Sequence, residues 1–198
     1  MKFMQERGRS RDREARFEAL VGVVAEPLHR YLRRRAEPGA VDDVLAETML
    51  VLWRRLEDVP GFGAGHRPEP AGVLPWCYGV ARGCLANARR AEARRLRLVE
   101  RLTRAARAPA SWPGTQDIGD GELDSALARL SPVDREVLLL WAWEGLAPRE
   151  IAEAIGMTPN AVSIRMHRAK KRLAAMLERK NGVLAAHKSG EGQGRSDR

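Results

Sequence analysis

The stretch TPNAVSIRMHRAKKRL, Thr158–Leu173, gathers five cationic residues into a segment with helical periodicity. Thr158 suits an N-cap and Pro159 the first helical position, so a helix is predicted to start here. At about 100° per residue, Val162, Met166, Ala169 and Leu173 fall on one stripe. Asn160, Ile164, Arg168 and Lys171 point the opposite way, with Arg165, Lys170 and Arg172 on the flanks. By itself, such a segment is equally a solvated surface helix docked by its apolar stripe. The residues ahead of it decide. Pro148–Ile155 reads as a short helix with Ile151, Ala152 and Ile155 inward, and Gly156-Met157-Thr158 reads as a turn. A short helix, a turn opened by Gly and a longer basic helix make a helix-turn-helix. In that arrangement the first helix braces the second, whose other face is free to enter a major groove. Asn160 then offers a bidentate amide suited to adenine, and Arg165 or Arg168 reads guanine or grips phosphate. Ile164, poorly placed for water, suits a thymine methyl, and Ser163 lies beside it. Lys170, Lys171 and Arg172, further along, are placed for phosphates.

Outward from this motif the chain stays helical. Ser131-Pro132-Val133-Asp134 opens the preceding helix, with Ser131 as cap and an acidic residue three positions on, and Gly145 stops it. Residues 121–129 form another short helix. Between Leu98 and Gly121 the composition turns to Arg, Ala, Pro, Gly and Ser, which reads as a linker. Trp112 within it has two readings, an anchor for a partner or a local packing residue. Earlier, residues 75–97 form a helix with Cys77, Val80, Ala81, Cys84, Ala88 and Ala91 inward. Its other side carries Tyr78, Arg82, Arg89, Arg90 and Arg94, and Gly79 and Gly83 weaken it by about 1 kcal/mol each relative to Ala. Residues 41–59 are amphipathic: Val41, Val44, Leu45, Thr48, Leu52 and Leu56 share one face, and Asp43, Glu47, Leu50 and Arg54 the other. A first helical pattern runs from Phe17 through Leu20, Val24, Leu28 and Tyr31, with Pro27 expected to kink or split it. The predicted fold is all-α: two small helical domains joined by a flexible linker, the C-terminal one a helix-turn-helix. The expected boundaries are a disordered arm over 1–14, a first domain over 15–97, the linker over 98–121, a second domain over 122–180 and a disordered tail over 181–198.

Composition agrees. The chain has 198 residues, 5% of them aromatic, so its cores must be built mainly from aliphatic residues. A formal net charge of +9 favours polyanions such as nucleic acid. Cys77 and Cys84 lie seven residues apart in one helix, roughly 10 Å along its axis, which excludes a disulfide between them. They read as buried small hydrophobes. The charged N-terminus has no signal-peptide pattern, and the longest apolar run, residues 137–143, is too short to span a membrane, so a cytoplasmic protein without membrane insertion is expected. No Gly-rich phosphate loop, metal-spaced His/Cys set or Ser-His-Asp arrangement is present in the sequence, and His29, His66, His167 and His187 are scattered. No catalytic residue, metal or cofactor is expected, and an enzyme is disfavoured.

The run LARLSPVDREVLLLWAWEGLAPREIAEAIGMTPNAVSIRMHRAKKRLAAML resembles the C-terminal DNA-binding domain of bacterial RNA polymerase sigma factors of the extracytoplasmic-function group. RYLRRR, DDVLAETMLVLWRRL and LPWCYGVARGCLANARR resemble the family's N-terminal core domain, in order and spacing. The two-block order is the specific signal, since a helix-turn-helix alone is shared by many regulators.

The resemblance implies that the helix over residues 42–56 docks on the clamp helices of the polymerase β′ subunit through Asp43, Glu47, Leu50 and Arg54. It implies that the helix from Pro75 recognises and helps melt the downstream promoter element. Arg82, Arg89, Arg90 and Arg94 would hold single-strand phosphates, and Trp76, Tyr78 and Asn87 would receive an unstacked base. The helix-turn-helix would bind the upstream element, and an anti-sigma protein is the implied inhibitor. The sequence departs from the family pattern at Ala46, where Gln is usual, at Gly83, where Asn is frequent, and at Ala147, where a capping Ser is common. The loop over 61–72 is longer and richer in Gly and Pro than usual. The rival reading is a stand-alone helix-turn-helix regulator that never binds polymerase. It would turn residues 41–59 into a dimerisation or sensor helix and leave the basic helix after Pro75 without a task.

Overall fold

The described residues, which in this computed structural model are 2–63, 67–103 and 121–190, form seven α-helices and no strand. Trp112, the middle of the expected linker and the last eight residues lie outside them.

Helix α1 (Lys2–Arg33) starts where a disordered arm was expected. From Arg13 onward, its cations hold it to the rest of the first unit. Arg13 donates to the Trp53 carbonyl at 2.8 Å with its guanidinium over the Trp53 ring, and Arg16 pairs with Glu57 at 3.0 Å. Pro27 does not split α1. Leu20, Val24, Leu28 and Leu32 are fully buried on both sides of it, and burial of about 1.5–3 kcal/mol per such side chain outweighs one missing helical hydrogen bond.

Helix α2 (Val41–Arg54) turns Val41, Val44, Thr48 and Leu52 inward. Thr48 is the polar member of that face, and its hydroxyl donates to the Val44 carbonyl at 2.7 Å. Helix α3 (Pro70–Thr103) starts five residues before the expected position and carries Pro75 inside it, buried between Val73 and Cys77. Helices α1, α2 and α3 pack on one another as a first unit.

The second unit contains α4 (Gly121–Ala128), α5 (Pro132–Ala142), α6 (Pro148–Ile155) and α7 (Pro159–Gly190). Helices α4, α5 and α6 all pack on α7, around Leu130, Val137, Leu140, Ile151, Val162 and Ala169. Helix α7 runs on to Gly190, past the point where a disordered tail was expected.

The two units are not separate bodies. Helix α6 lies against α3, and the buried apolar residues of both units form one continuous cluster. A Cβ on Gly79 would stand 3.0 Å from the Ala154 carbonyl oxygen, a tight contact that favours glycine where the α6 backbone approaches. A Cβ on Gly83 would meet open space.

Candidate nucleic-acid interface

The turn between α6 and α7 is built as its residues dictate. Gly156 adopts φ +70°, the left-handed conformation that ends a helix with little cost only at glycine. The Thr158 hydroxyl accepts from the Ala161 amide at 3.3 Å and caps α7. Ala147 offers no side-chain cap to α6, but the Glu150 carboxylate accepts from the Ala147 amide at 2.7 Å, which is half of a capping box. Ser131 accepts from the Asp134 amide at 3.1 Å and caps α5 as expected.

Val162, Met166 and Ala169 of α7 are buried, and Asn160, Ser163, Ile164, Arg168, Lys171 and Arg172 are exposed, Ile164 by 44%. The apolar stripe and its basic opposite face therefore stand as the periodicity predicted. The flanks are more constrained than the wheel suggested. Arg165 is half-buried and donates to Asp134 at 2.9 Å, and Arg172 reaches the other carboxylate oxygen at 3.4 Å. Asp134 lies at the start of α5, so this carboxylate ties two cations of α7 to the body of the domain. Burial opposes its ionisation, but the Ser131 hydroxyl and Arg165, with Arg172 behind, outweigh it and hold the carboxyl below its ordinary 3.8. The Lys170 ammonium sits 3.3 Å from the centre of the exposed Trp141 ring, and the Ser163 hydroxyl donates to the Pro159 carbonyl.

Helix α3 needs larger correction. Tyr78, expected on an exposed side as a platform for a base, is only 3% exposed and packs against Tyr31 with ring centres 5.2 Å apart. Burial also pushes its hydroxyl up to about 12. Arg89 is half-buried and donates to the Arg35 carbonyl, so it is not an open phosphate contact in this arrangement. Trp76 is half-buried with Arg55 above its ring at 5.1 Å. Arg82, Asn87, Arg90 and Arg94 are exposed, and Asn87 accepts from Arg90. On α2, Asp43, Glu47, Leu50 and Arg54 are all exposed, and Leu50 is a 48% exposed leucine flanked by charges.

Arg35 was quoted in sequence only as part of RYLRRR, yet it is among the most constrained side chains in the molecule. It falls at i+7 from Leu28 and i+4 from Tyr31, in the turn just past α1 and in line with the helix's apolar stripe. A cation on that stripe needs a buried partner, and this was the signal available.

The fold and surface chemistry define a helical protein with a C-terminal helix-turn-helix of the DNA-binding kind. Residues 120–173 match the family described as Sigma-70, region 4. Over 168 residues the chain is 29% identical to the RNA polymerase sigma factor CarQ of Myxococcus xanthus, covering 81% of this chain and 88% of that one. It is 26% identical over 144 residues to the RNA polymerase sigma factor NccH of Alcaligenes xylosoxydans xylosoxydans, 70% of this chain and 73% of that one. Among solved structures, the sigma factor RpoE from Bartonella quintana, crystallised with the anti-sigma factor NepR, superposes with a TM-score of 0.56 at 18% identity. That match covers 82% of this chain and 96% of the other. CnrH in complex with the cytosolic domain of CnrY gives 0.51 at 26% identity, covering 82% and 87%. Residues 120–173 thus carry a Sigma-70, region 4 domain, and over most of its length the chain is similar to RNA polymerase sigma factors.

Proposed function

We propose that this sigma factor docks on core RNA polymerase through α2, reads duplex upstream promoter DNA with α7, and helps open the downstream element with α3. The carrying observation is the pairing of two unlike exposed faces. Helix α2 presents Leu50 among Asp43, Glu47 and Arg54, which suits a protein partner, and α7 presents Asn160, Ile164, Arg168 and Lys171, which suits a major groove. On α3 the proposed contacts narrow to Arg82, Asn87, Arg90 and Trp76. The polymerase performs the chemistry, and the sigma factor contributes binding and placement. No helix of the described residues is long and apolar enough to cross a membrane, in keeping with work in the cytoplasm beside the polymerase. The RpoE structure that shares this fold holds an anti-sigma factor, which supports a protein inhibitor of that kind here.

The test is gel filtration of the purified protein with sigma-free core polymerase, beside an Asp43/Glu47/Leu50 triple-alanine variant. Comigration of the wild type, lost in the variant, is expected. A wild type that elutes apart from the core would return the stand-alone regulator as the better reading.

A further inference from the structure

A cavity of about 560 Å³ lies between α3 and the first turns of α5, and its lining is strongly cationic. Four guanidinium groups border it, from Arg35, Arg82, Arg89 and Arg135, against one carboxylate, that of Glu136. The carboxylate is already engaged: its two oxygens take the Arg35 Nε at 3.1 Å and the Tyr31 hydroxyl at 2.9 Å. Glu144 takes the Arg35 Nη1, also at 3.1 Å. Arg35 is still short of an acceptor. It is 5% exposed, and its Nη2 is buried with no hydrogen-bond partner among the described residues. A buried charged donor left unpaired is costly, and a missing ligand is one physical reason for it.

The other three cations are spaced in a way that selects the anion. Arg82 and Arg89 are seven residues apart on α3, so they share a face and stand roughly 10 Å apart along the axis. That separation exceeds the reach of one phosphate and suits a chain of two or three. Arg82 is exposed, and neither Arg82 nor Arg135 is ion-paired among the described residues. Arg135 donates through Nε and Nη2 to the Leu127 and Ala128 carbonyls at 2.9 and 2.8 Å, which holds its guanidinium in place. Burial, with like charge from Arg35 and Arg135, keeps Arg89 below its ordinary value in spite of Tyr31 and Glu136. A bound anion would reverse that direction, and guanidinium forks match phosphate oxygens two at a time. The lining also has an apolar part, with Leu85, Val133, Leu139, Ile155 and Met157. Sites for small organic ligands span about 300–1,000 Å³, a range that includes this cavity.

We propose that this cavity binds a free nucleoside di- or triphosphate, its phosphate chain held by Arg82, Arg89 and Arg135 with Arg35 as the buried donor, and its base laid on the apolar lining. A bare polyphosphate would leave the apolar residues in water, and a neutral nucleoside would leave the arginines without an anion, so the ligand needs both halves. Arg82 is shared with the contacts proposed for a downstream single strand, but Arg35 and Arg135 are not. None of the four arginines lies on α2 or α7, so nucleotide binding is separable from polymerase docking and from duplex reading.

Val133 and Ala86 line the cavity from exposed positions, so a carboxylate can be placed there without disturbing the core. The full chain, titrated into N-methylanthraniloyl-ADP at about 0.15 M salt and followed by anisotropy, should bind saturably. Val133→Glu and Ala86→Glu should each weaken binding roughly tenfold or more through like charge, while keeping the wild-type helical circular dichroism. Arg149→Ala makes the same change in net charge at an exposed site outside the cavity and should bind as the wild type does. Unlabelled ADP should displace the probe at far lower concentration than pyrophosphate or adenosine. No saturable binding, unchanged binding in both glutamate variants, or an equal loss in Arg149→Ala would overturn the site and leave only attraction to a basic chain. Pyrophosphate as potent as ADP would overturn the nucleotide class. A twelve-nucleotide oligo-dT that displaces the probe as well as ADP, and is weakened by the same two glutamates, would assign the cavity to a DNA strand and overturn the proposal.

Discussion

Arg165 of α7 donates to Asp134 of α5 at 2.9 Å, and Arg172 shares the same carboxylate from about two helical turns further on. One acid thereby fixes two of the cations proposed to face DNA. Asp134→Asn should cost about 1.5–3 kcal/mol of stability in the second unit, as expected for a hydrogen bond to a charged group, read by urea unfolding. Binding of duplex promoter DNA, followed by anisotropy, should weaken as well. Unchanged binding would show that Arg165 does not need this anchor.

The pH dependence of that anchor has a defined sign. The Asp134 carboxyl lies below its ordinary 3.8 in the folded chain, so its contribution is fully present above that value. It is lost as pH falls below 3.8 through the folded value. Wild type and Asp134→Asn should therefore differ in melting temperature at neutral pH and converge in acid below that point. A constant difference would place the variant's effect elsewhere.

Arg168 and Lys171 are both exposed on the outer face of α7, and their distances from its N-terminus suit them to different tasks in the proposed DNA contact. Arg168→Ala should cost about 1–3 kcal/mol on the preferred upstream element and relax preference at one base pair. Lys171→Ala should weaken all sequences alike and lower the salt slope by about one. Titrations at several salt concentrations separate the two.

Two glycines should respond oppositely to alanine. Gly156, at φ +70°, should lose about 1–2 kcal/mol because a Cβ is strained in that conformation. Gly83 lies within α3 with open space at its Cβ position, so Gly83→Ala should gain about 0.5–1 kcal/mol. Thermal unfolding checks both signs.

The two thiols should be inert in the native protein. Both are buried, and burial pushes Cys77 up to about 12. At pH 8 a disulfide reagent should leave both unmodified over the time in which it consumes two thiols in guanidinium. Rapid native modification of either would signal opening of α3.

Much of this molecule is written in short-range pattern. The period of Val162, Met166 and Ala169 set the buried side of α7, and Gly156 and Thr158 marked the turn and cap that the structure shows. The exposed row of α2 was equally legible, because a local periodicity decides which side faces out. Tyr78 and Arg89 were misplaced for the opposite reason: α3 is covered on a further side, by Tyr31, Arg35 and the second unit, and no helical wheel contains that neighbour. The docking of α1 around Arg13 and Arg16 was not legible because their partners lie some forty positions away.

The chain's own order of residues thus determined the helices, their inner faces and the chemistry of the two outward faces, since these follow from spacing within a few turns. Only the tertiary structure decided where Gly79 meets Ala154, and that Arg35 lies between Glu136 and Glu144. Those pairings join residues about a hundred positions apart or close by only after folding, and a buried charge names its need for a partner without naming which one.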